Sequence, residues 1–241
     1  MKAMILNSGS GSRLGVLTEN MPKALLEVAG KPLLGYQLDN LTACGVSSFI
    51  ITTGPFEEKI RDYVAKNYAS LHITYVNNPE YQSTNYIYSM FLAKKEVDDH
   101  IVLLHGDLFF QKVLLQKLLG NKHSNCVLVN RKVRPPEKDF KAVLARGRVV
   151  KIGVQFFGKN SFFCAPLYKF AKADFLFWLD EIEKHVAKGN LKIYAENVFN
   201  EVSNKILLYP LYYNGEVCLE IDTKEDLDRA KDLASSILAS T

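Results

Sequence analysis

The stretch AMILNSGSGSRLGVLTENMPKALLEVAGKPLL, residues 3–34, decides how this chain is read. It opens with a short apolar run that stops at Asn7. A loop of Ser8, Gly9, Ser10, Gly11 and Ser12 follows, then Arg13, and further on the pair Pro22-Lys23. Glycine opens backbone conformations closed to other residues, so the main chain can pass close to a ligand. Successive N–H groups in such a turn make an anion cradle. A guanidinium and an ammonium beside it can hold a polyphosphate from two sides. The pattern points to a nucleoside triphosphate.

The commoner phosphate loops do not fit. A P-loop ends in Gly-Lys-Ser/Thr, whereas Gly11 here is followed by Ser12-Arg13. The dinucleotide fingerprint G-x-G-x-x-G matches at Gly9 and Gly11, but position 14 is leucine and Gly15 comes one residue late. With Arg13, Pro22-Lys23 and Gly30-Lys31-Pro32 in fixed order, the string resembles the signature of nucleotidyltransferases that couple an NTP to a phosphorylated sugar or small alcohol. That signature runs L-A-A-G-x-G-S-R-L…P-K-x-L…G-K-P-L. The chain departs from it at Asn7-Ser8, where the family has two alanines; both replacements are small enough for the loop to close.

The resemblance implies an α/β, Rossmann-like nucleotidyltransferase fold. Its sheet is mixed and mainly parallel, with helices on both faces and a small antiparallel subdomain on the acceptor side. It also implies that Leu6, Asn7, Ser8, Gly9, Ser10, Gly11, Ser12 and Gly106 surround the nucleotide. Arg13 and Lys23 would be catalytic, Arg13 on the departing β,γ-phosphates and Lys23 on the α-phosphate and the incoming phosphate.

Composition agrees. The 241 residues, 48% hydrophobic and 23% charged, suit one globular domain spanning 1–241. No apolar run approaches a membrane span, and the N-terminus enters a strand directly rather than a signal peptide. Cys44, Cys126, Cys164 and Cys218 are widely separated, which suits reduced thiols in a cytoplasmic protein better than a zinc site. The basic residues Arg131, Lys132, Arg134, Lys138, Lys141, Arg146, Arg148 and Lys151 crowd one stretch. This is either a solvated hairpin or a positive rim that attracts anions. Nucleic-acid binding would interleave aromatic platforms, and only Phe140 qualifies. No nucleic acid and no membrane are therefore expected as partners, for a monomer or homodimer; the resemblance implies instead an NTP and a small phosphorylated acceptor.

Strand and helix patterns alternate, the hallmark of a parallel sheet. Strands are expected at 4–7, 48–53, 71–76, 101–105, 126–130, 142–145, 149–154, 161–165 and 206–211. Helices are expected at 33–44, 57–68, 86–95, 166–187 and 224–238, with another beginning near Phe110. Arg146-Gly147 reads as a hairpin turn. Trp178 reads as core, and His105 as a hydrogen-bonded core residue.

Two acidic sites stand out. Asp107 follows Gly106 at the end of a buried apolar strand, and Asp222 lies in Glu220-Ile221-Asp222-Thr223. Either segment also reads as a helix cap. In the resembled family, Mg²⁺ is held by one aspartate after a central strand and another near the C-terminus. The resemblance therefore implies Asp107 and Asp222 as Mg²⁺ ligands, with Glu220 beside them. Oxygen ligands with substrate phosphates are the usual Mg²⁺ shell.

The segment from Asn78 to Ser89 resembles the N-x-x-Y-x-x-x-N-x-x-x-S stretch of choline-phosphate and aminoethylphosphonate cytidylyltransferases. It implies Asn78, Asn85 and Ser89 at the nucleotide and CTP as donor; amide and hydroxyl groups suit a pyrimidine edge. Segments around Phe163 and Tyr194-Ala195-Glu196-Asn197 resemble acceptor-facing parts of the family, with Ala195 where a tryptophan is common. Phe140, Phe163, Tyr194 and Glu196 would cage a cationic amine, with Lys141 on the acceptor phosphate. Phosphorylated amino acids or polyols remain alternatives, given the basic residues nearby. Three other readings stay open: a UTP- or dTTP-dependent sugar-1-phosphate transferase, a glycosyltransferase, and a non-catalytic nucleotide-binding domain. The glycosyltransferase lacks its Asp-x-Asp motif, since Gly106-Asp107-Leu108 supplies one acid.

Overall fold

A computed structural model describes residues 1–238, with side chains through residue 235. The first strand, β1 (Lys2–Asn7), shows why the sheet has helices on both sides. Alternate residues of a strand face opposite ways. Met4 and Leu6 enter one apolar cluster, while Ala3 and Ile5 enter another.

Two short 3₁₀ segments, Ser12–Thr18 and Lys23–Leu25, carry the signature loop down to the small hairpin of β2 (Glu27–Val28) and β3 (Lys31–Pro32). Then come α1 (Leu33–Ala43), β4 (Ser48–Thr53), α2 (Glu57–Asn67), β5 (His72–Asn77) and α3 (Tyr86–Ala93). Next are β6 (Ile101–His105), β7 (Leu108–Phe110), α4 (Lys112–Leu119), β8 (Cys126–Asn130), β9 (Lys141–Ala145) and β10 (Arg148–Gly153). The remainder is β11 (Ser161–Phe170), α5 (Lys172–Ala187), α6 (Ala195–Val202), β12 (Tyr209–Tyr213), β13 (Cys218–Glu220) and α7 (Lys224–Leu238).

The main sheet runs β10-β9-β11-β6-β1-β4-β5, with β8 joined to β11 and β12. Strands β6, β1, β4 and β5 are parallel. Strand β11 is antiparallel to β6, β8 and β9. One cluster packs α3, α5 and α6 on the Met4 face; the other packs α1, α2 and α4 on the Ile5 face. A third seats α7 against β7 and β13, through Phe109, Ile221, Leu227 and Ala230.

Several expected boundaries change. The strand at 161–165 continues to Phe170, so the helix expected from Pro166 begins at Lys172 instead. Pro166 lies in the register shift between Ala165 and Tyr168 opposite β8, where a missing N–H is tolerated. The helix expected near Phe110 starts at Lys112, because Leu108–Phe110 pairs with β13. The strand expected at 206–211 is displaced to Tyr209–Tyr213, and α6 was not anticipated. The Arg146-Gly147 turn is present, with φ of 51° and 73° at its two residues, the pair of positive values a tight two-residue hairpin requires. The four cysteines are free thiols. Among the described residues, no helix is long and apolar enough to cross a membrane.

Candidate active site

The carboxyl ends of β1, β5 and β6 open onto one cleft, the usual ligand position in such sheets. Its space is about 350 Å³. The floor is built by close approach. Gly106 N–H donates to the Leu6 carbonyl at 3.0 Å. A Cβ at Gly106 would lie 1.5 Å from Asn7 Oδ1 and 2.8 Å from the Leu6 carbonyl oxygen, so a side chain here would push the two strand ends apart. Asn7 N–H and Ser8 Oγ both donate to Thr52 Oγ1, at 3.2 and 2.9 Å. Gly11 turns the loop with φ 68°, and its carbonyl accepts from Thr18 Oγ1 at 2.8 Å.

Gln37, unremarked in the sequence, straddles the turn after β6. Its amide donates to the carbonyls of His105 at 3.0 Å and Leu108 at 2.8 Å, fixing the Gly106-Asp107 bend between them. Asp107 therefore has no helix to cap. The cap expected at Thr223 does form: Asp226 N–H donates to Thr223 Oγ1 at 3.2 Å, and Asp226 accepts from Thr223 N–H at 2.9 Å.

Lys23 lies between the two aspartates. Its Nζ is 2.8 Å from Asp107 Oδ2 and 2.6 Å from Asp222 Oδ1, and Arg13 Nη1 is 2.9 Å from Asp222 Oδ2. Burial works against the Lys23 charge, but Asp107 and Asp222 outweigh it and raise its pKa. Burial likewise opposes ionisation of Asp107, yet Lys23 and then His105 hold its pKa below the ordinary value. At Glu220 the Lys23 charge also favours ionisation but is outweighed. Burial first, then the charges of Asp107, Asp139 and Asp222, push its carboxyl well above the usual range.

Asp107 Oδ1, Glu220 Oε1 and His105 Nε2 are buried without a hydrogen-bond partner. Ligand atoms of these three residues lie within 4.8 Å of one another. Unpaired buried carboxylate oxygens are costly, and a hard dication with oxygen ligands relieves them. The donor set therefore fits a divalent cation; of the two acids expected as ligands, Asp107 belongs to this group, whereas Glu220 and His105 complete it and Asp222 lies outside it, paired with Lys23 and Arg13. His105 was expected to be a hydrogen-bonded core residue. Its ring instead borders the cleft with Nε2 unpaired.

Beyond the acids, the cleft ends in aromatic rings. Tyr86 contacts His105 (4.7 Å between centroids), His105 contacts Phe140 (6.1 Å), Phe140 contacts Tyr194 (5.2 Å), and Tyr194 returns to Tyr86 (6.0 Å). Glu196 stands behind this wall. Nearly fully buried, it accepts hydrogen bonds from the hydroxyls of Tyr86 and Tyr168, the latter at 3.0 Å. The neighbouring Ala195 is also buried, and its carbonyl accepts from the Trp178 indole at 3.1 Å.

Of the residues singled out from sequence, 6–13, Lys23, Asn78, Asn85, Ser89, Gly106, Asp107, Phe140, Tyr194 and Asp222 line the cleft. Lys141, Phe163 and Glu196 do not. The Lys141 ammonium donates to the carbonyls of Glu137 at 2.7 Å and Val154 at 2.9 Å, tying two loops together. Phe163 packs in the core on the α1 side. Asn85 caps α3, its Oδ1 accepting from Tyr86 N–H at 2.7 Å. Ser89 is buried and accepts from Asn78 at 3.0 Å. Of the basic stretch, Lys138 reaches the cleft, paired with Asp226 at 2.5 Å. Arg131 stacks between Phe162 and Tyr212 instead, at 5.3 and 5.2 Å. Tyr86 and His105 were missed as lining residues, although each adjoins a residue that was named.

A family model for the MobA-like NTP transferase domain matches residues 3–220. The chain belongs to that family. This MobA-like chain is 35% identical over 135 residues to the CMP-5'-(3-aminopropyl)phosphonate synthase of Streptomyces rubellomurinus, covering 56% of this chain and 22% of that protein. It is 36% identical over 118 residues to the choline-phosphate cytidylyltransferase of Streptococcus pneumoniae, covering 49% and 50%. The chain thus matches half or less of the length of these two relatives. The solved structure of CTP:phosphocholine cytidylyltransferase from Streptococcus pneumoniae superposes with TM-score 0.80 at 24% identity, over 97% of this chain and 98% of that one. The MobA-like chain has the Rossmann-like nucleotidyltransferase fold.

Proposed function

We propose that this protein is a cytidylyltransferase that joins CTP to a small phosphorylated or phosphonate acceptor bearing a cationic amine, releasing pyrophosphate. One observation carries the reading: Asp107 and Asp222 converge on Lys23 beside the residue 8–12 loop, in a cleft that ends in an aromatic wall. The names of the relatives support the donor and the acceptor class.

The acceptor's phosphate or phosphonate oxygen attacks the α-phosphorus in line, and pyrophosphate departs. That oxygen is already ionised at neutral pH, so no general base is needed. Catalysis is positioning and charge neutralisation. Residues 8–12 present backbone to the triphosphate. Arg13 holds the departing phosphates, and Lys23 bridges the α-phosphate and the incoming anion. Ser89, which accepts from Asn78, keeps its proton for a pyrimidine carbonyl. Tyr86, Phe140 and Tyr194 offer ring faces to an amine, and Glu196 fixes the Tyr86 ring from behind. Asp107 and Asp222, with Glu220 beside them, would hold Mg²⁺, which when bound supplies charge neutralisation between the anionic reactants.

A pyrophosphate-release screen tests this. It crosses CTP, UTP, dTTP, ATP and GTP with phosphocholine, aminoethylphosphonate, glycerol phosphate, phosphoserine-like acids and sugar-1-phosphates, with and without Mg²⁺. Turnover with CTP and an amine-bearing acceptor is expected. Turnover confined to sugar-1-phosphates overturns the acceptor assignment, and binding without turnover overturns the enzyme.

A further inference from the structure

Lys23 has two claims on it that cannot be met together. Its ammonium lies within 2.8 Å of carboxylates from both Asp107 and Asp222. A divalent cation on this acid cluster would share the Asp107 carboxylate with that ammonium and face it across one carboxyl group, where like charges repel strongly. The lysine is also the group proposed to meet the phosphates. We infer that, without nucleotide, Lys23 is a built-in stand-in for the metal: its ammonium occupies the acid cluster, excludes a dication, and leaves only when a polyphosphate draws it off.

The charge count supports such an exchange. Two side-chain cations, Lys23 and Arg13, sit on the acids. When both turn to the triphosphate, two positive charges leave the cluster and one dication restores them. The acids are never left bare, and metal and nucleotide arrive as a pair.

The local structure suits a swinging side chain on a fixed base. Lys23 opens a 3₁₀ turn directly after Pro22 (φ −68°), and the turn is closed by Leu25 N–H to the Pro22 carbonyl at 2.9 Å. Movement therefore falls to the flexible four-carbon stem. The ammonium is also an incomplete substitute. Asp107 Oδ1 and Glu220 Oε1 stay unpaired beside it, which a point donor cannot remedy and a cation with several oxygen ligands can.

This inference rests on the proposed metal site, and the test separates the two. Mn²⁺ alone, without nucleotide, is titrated by electron paramagnetic resonance into wild type, Lys23→Met and Lys23→Arg, with thermal melting as a second readout. Lys23→Met should bind Mn²⁺ at least tenfold more tightly than wild type and gain melting temperature from it; Lys23→Arg should stay as weak as wild type. Lys23→Gln serves if the methionine variant does not fold. Equal or weaker Mn²⁺ binding by the uncharged variants overturns the stand-in and leaves the metal site standing. If no variant binds Mn²⁺, even with CTP added, the metal site falls and the stand-in with it.

Discussion

The backbone N–H of Ile221 donates to the carbonyl of Asp107 at 2.9 Å. This bond extends the two-stranded sheet of β7 and β13, in which Glu220 lies opposite Leu108. It sets the register that brings Asp222, from late in the chain, beside Asp107 at the end of a central strand. The convergence of the acids is thus a matter of backbone pairing, backed by Phe109 and Ile221 in the apolar cluster under α7.

If that convergence serves nucleotidyl transfer, neutralising either acid costs rate rather than fold. Asp107→Asn and Asp222→Asn should each lower kcat by about 10²–10³-fold, as is usual when one preorganised electrostatic group is lost. Pyrophosphate release measures the rate, and circular dichroism checks the fold. A loss below tenfold in both would contradict the assignment.

The seat of the residue 8–12 loop depends on a missing side chain. Gly106→Ala places a methyl 1.5 Å from Asn7 Oδ1. Overpacking of this kind costs about 1–3 kcal/mol. The variant should melt earlier and bind CTP more weakly by calorimetry. An alanine variant with unchanged melting and affinity would show that the β1 and β6 ends separate freely.

The aromatic wall should discriminate acceptors, not nucleotides. Phe140→Leu keeps most of the volume but removes the ring face. A cation–π contact of about 0.5–2 kcal/mol corresponds to a KM increase of roughly 2- to 30-fold for an amine-bearing acceptor. The KM for CTP should be unchanged, and Phe140→Tyr should restore acceptor KM. Equal increases in both KM values would indicate a packing defect.

Glu220 makes metal-free stability depend on pH. Its folded pKa is raised above the unfolded value, by burial and then by Asp107, Asp139 and Asp222. The folded state therefore favours the protonated carboxyl, and stability is lost as pH rises from the ordinary carboxylate range through the raised value. Glu220→Gln cannot ionise. In metal-free buffer its melting temperature should match wild type near pH ~4 and exceed it increasingly toward pH ~8. A constant difference across that range would argue that Glu220 is not destabilised by its surroundings.

Local features of the chain were legible where local chemistry decided them. Strands at Ser48–Thr53, Ile101–His105 and Cys126–Asn130 coincide with their apolar runs, which end in turn-forming residues. The loop after β1 was legible because a glycine-rich run directly follows an apolar strand. Pro166 misled because its bulge exists only opposite β8. Lys141 and Glu196 misled for a related reason. A charge beside aromatic residues looks ligand-facing, but their partners are carbonyls and tyrosine hydroxyls supplied by other segments.

By itself the sequence determined the alternation of strands and helices and the glycine-rich loop, and it singled out the two aspartates, since spacing and residue chemistry act over short stretches. Only the tertiary structure decided which groups face one another. It set Lys23 between the acids, left Glu220 Oε1 beside them without a hydrogen-bond partner, and closed the wall from Tyr86, His105, Phe140 and Tyr194. Those relations depend on strand register and helix packing between distant segments, and burial then decides which charges need a partner.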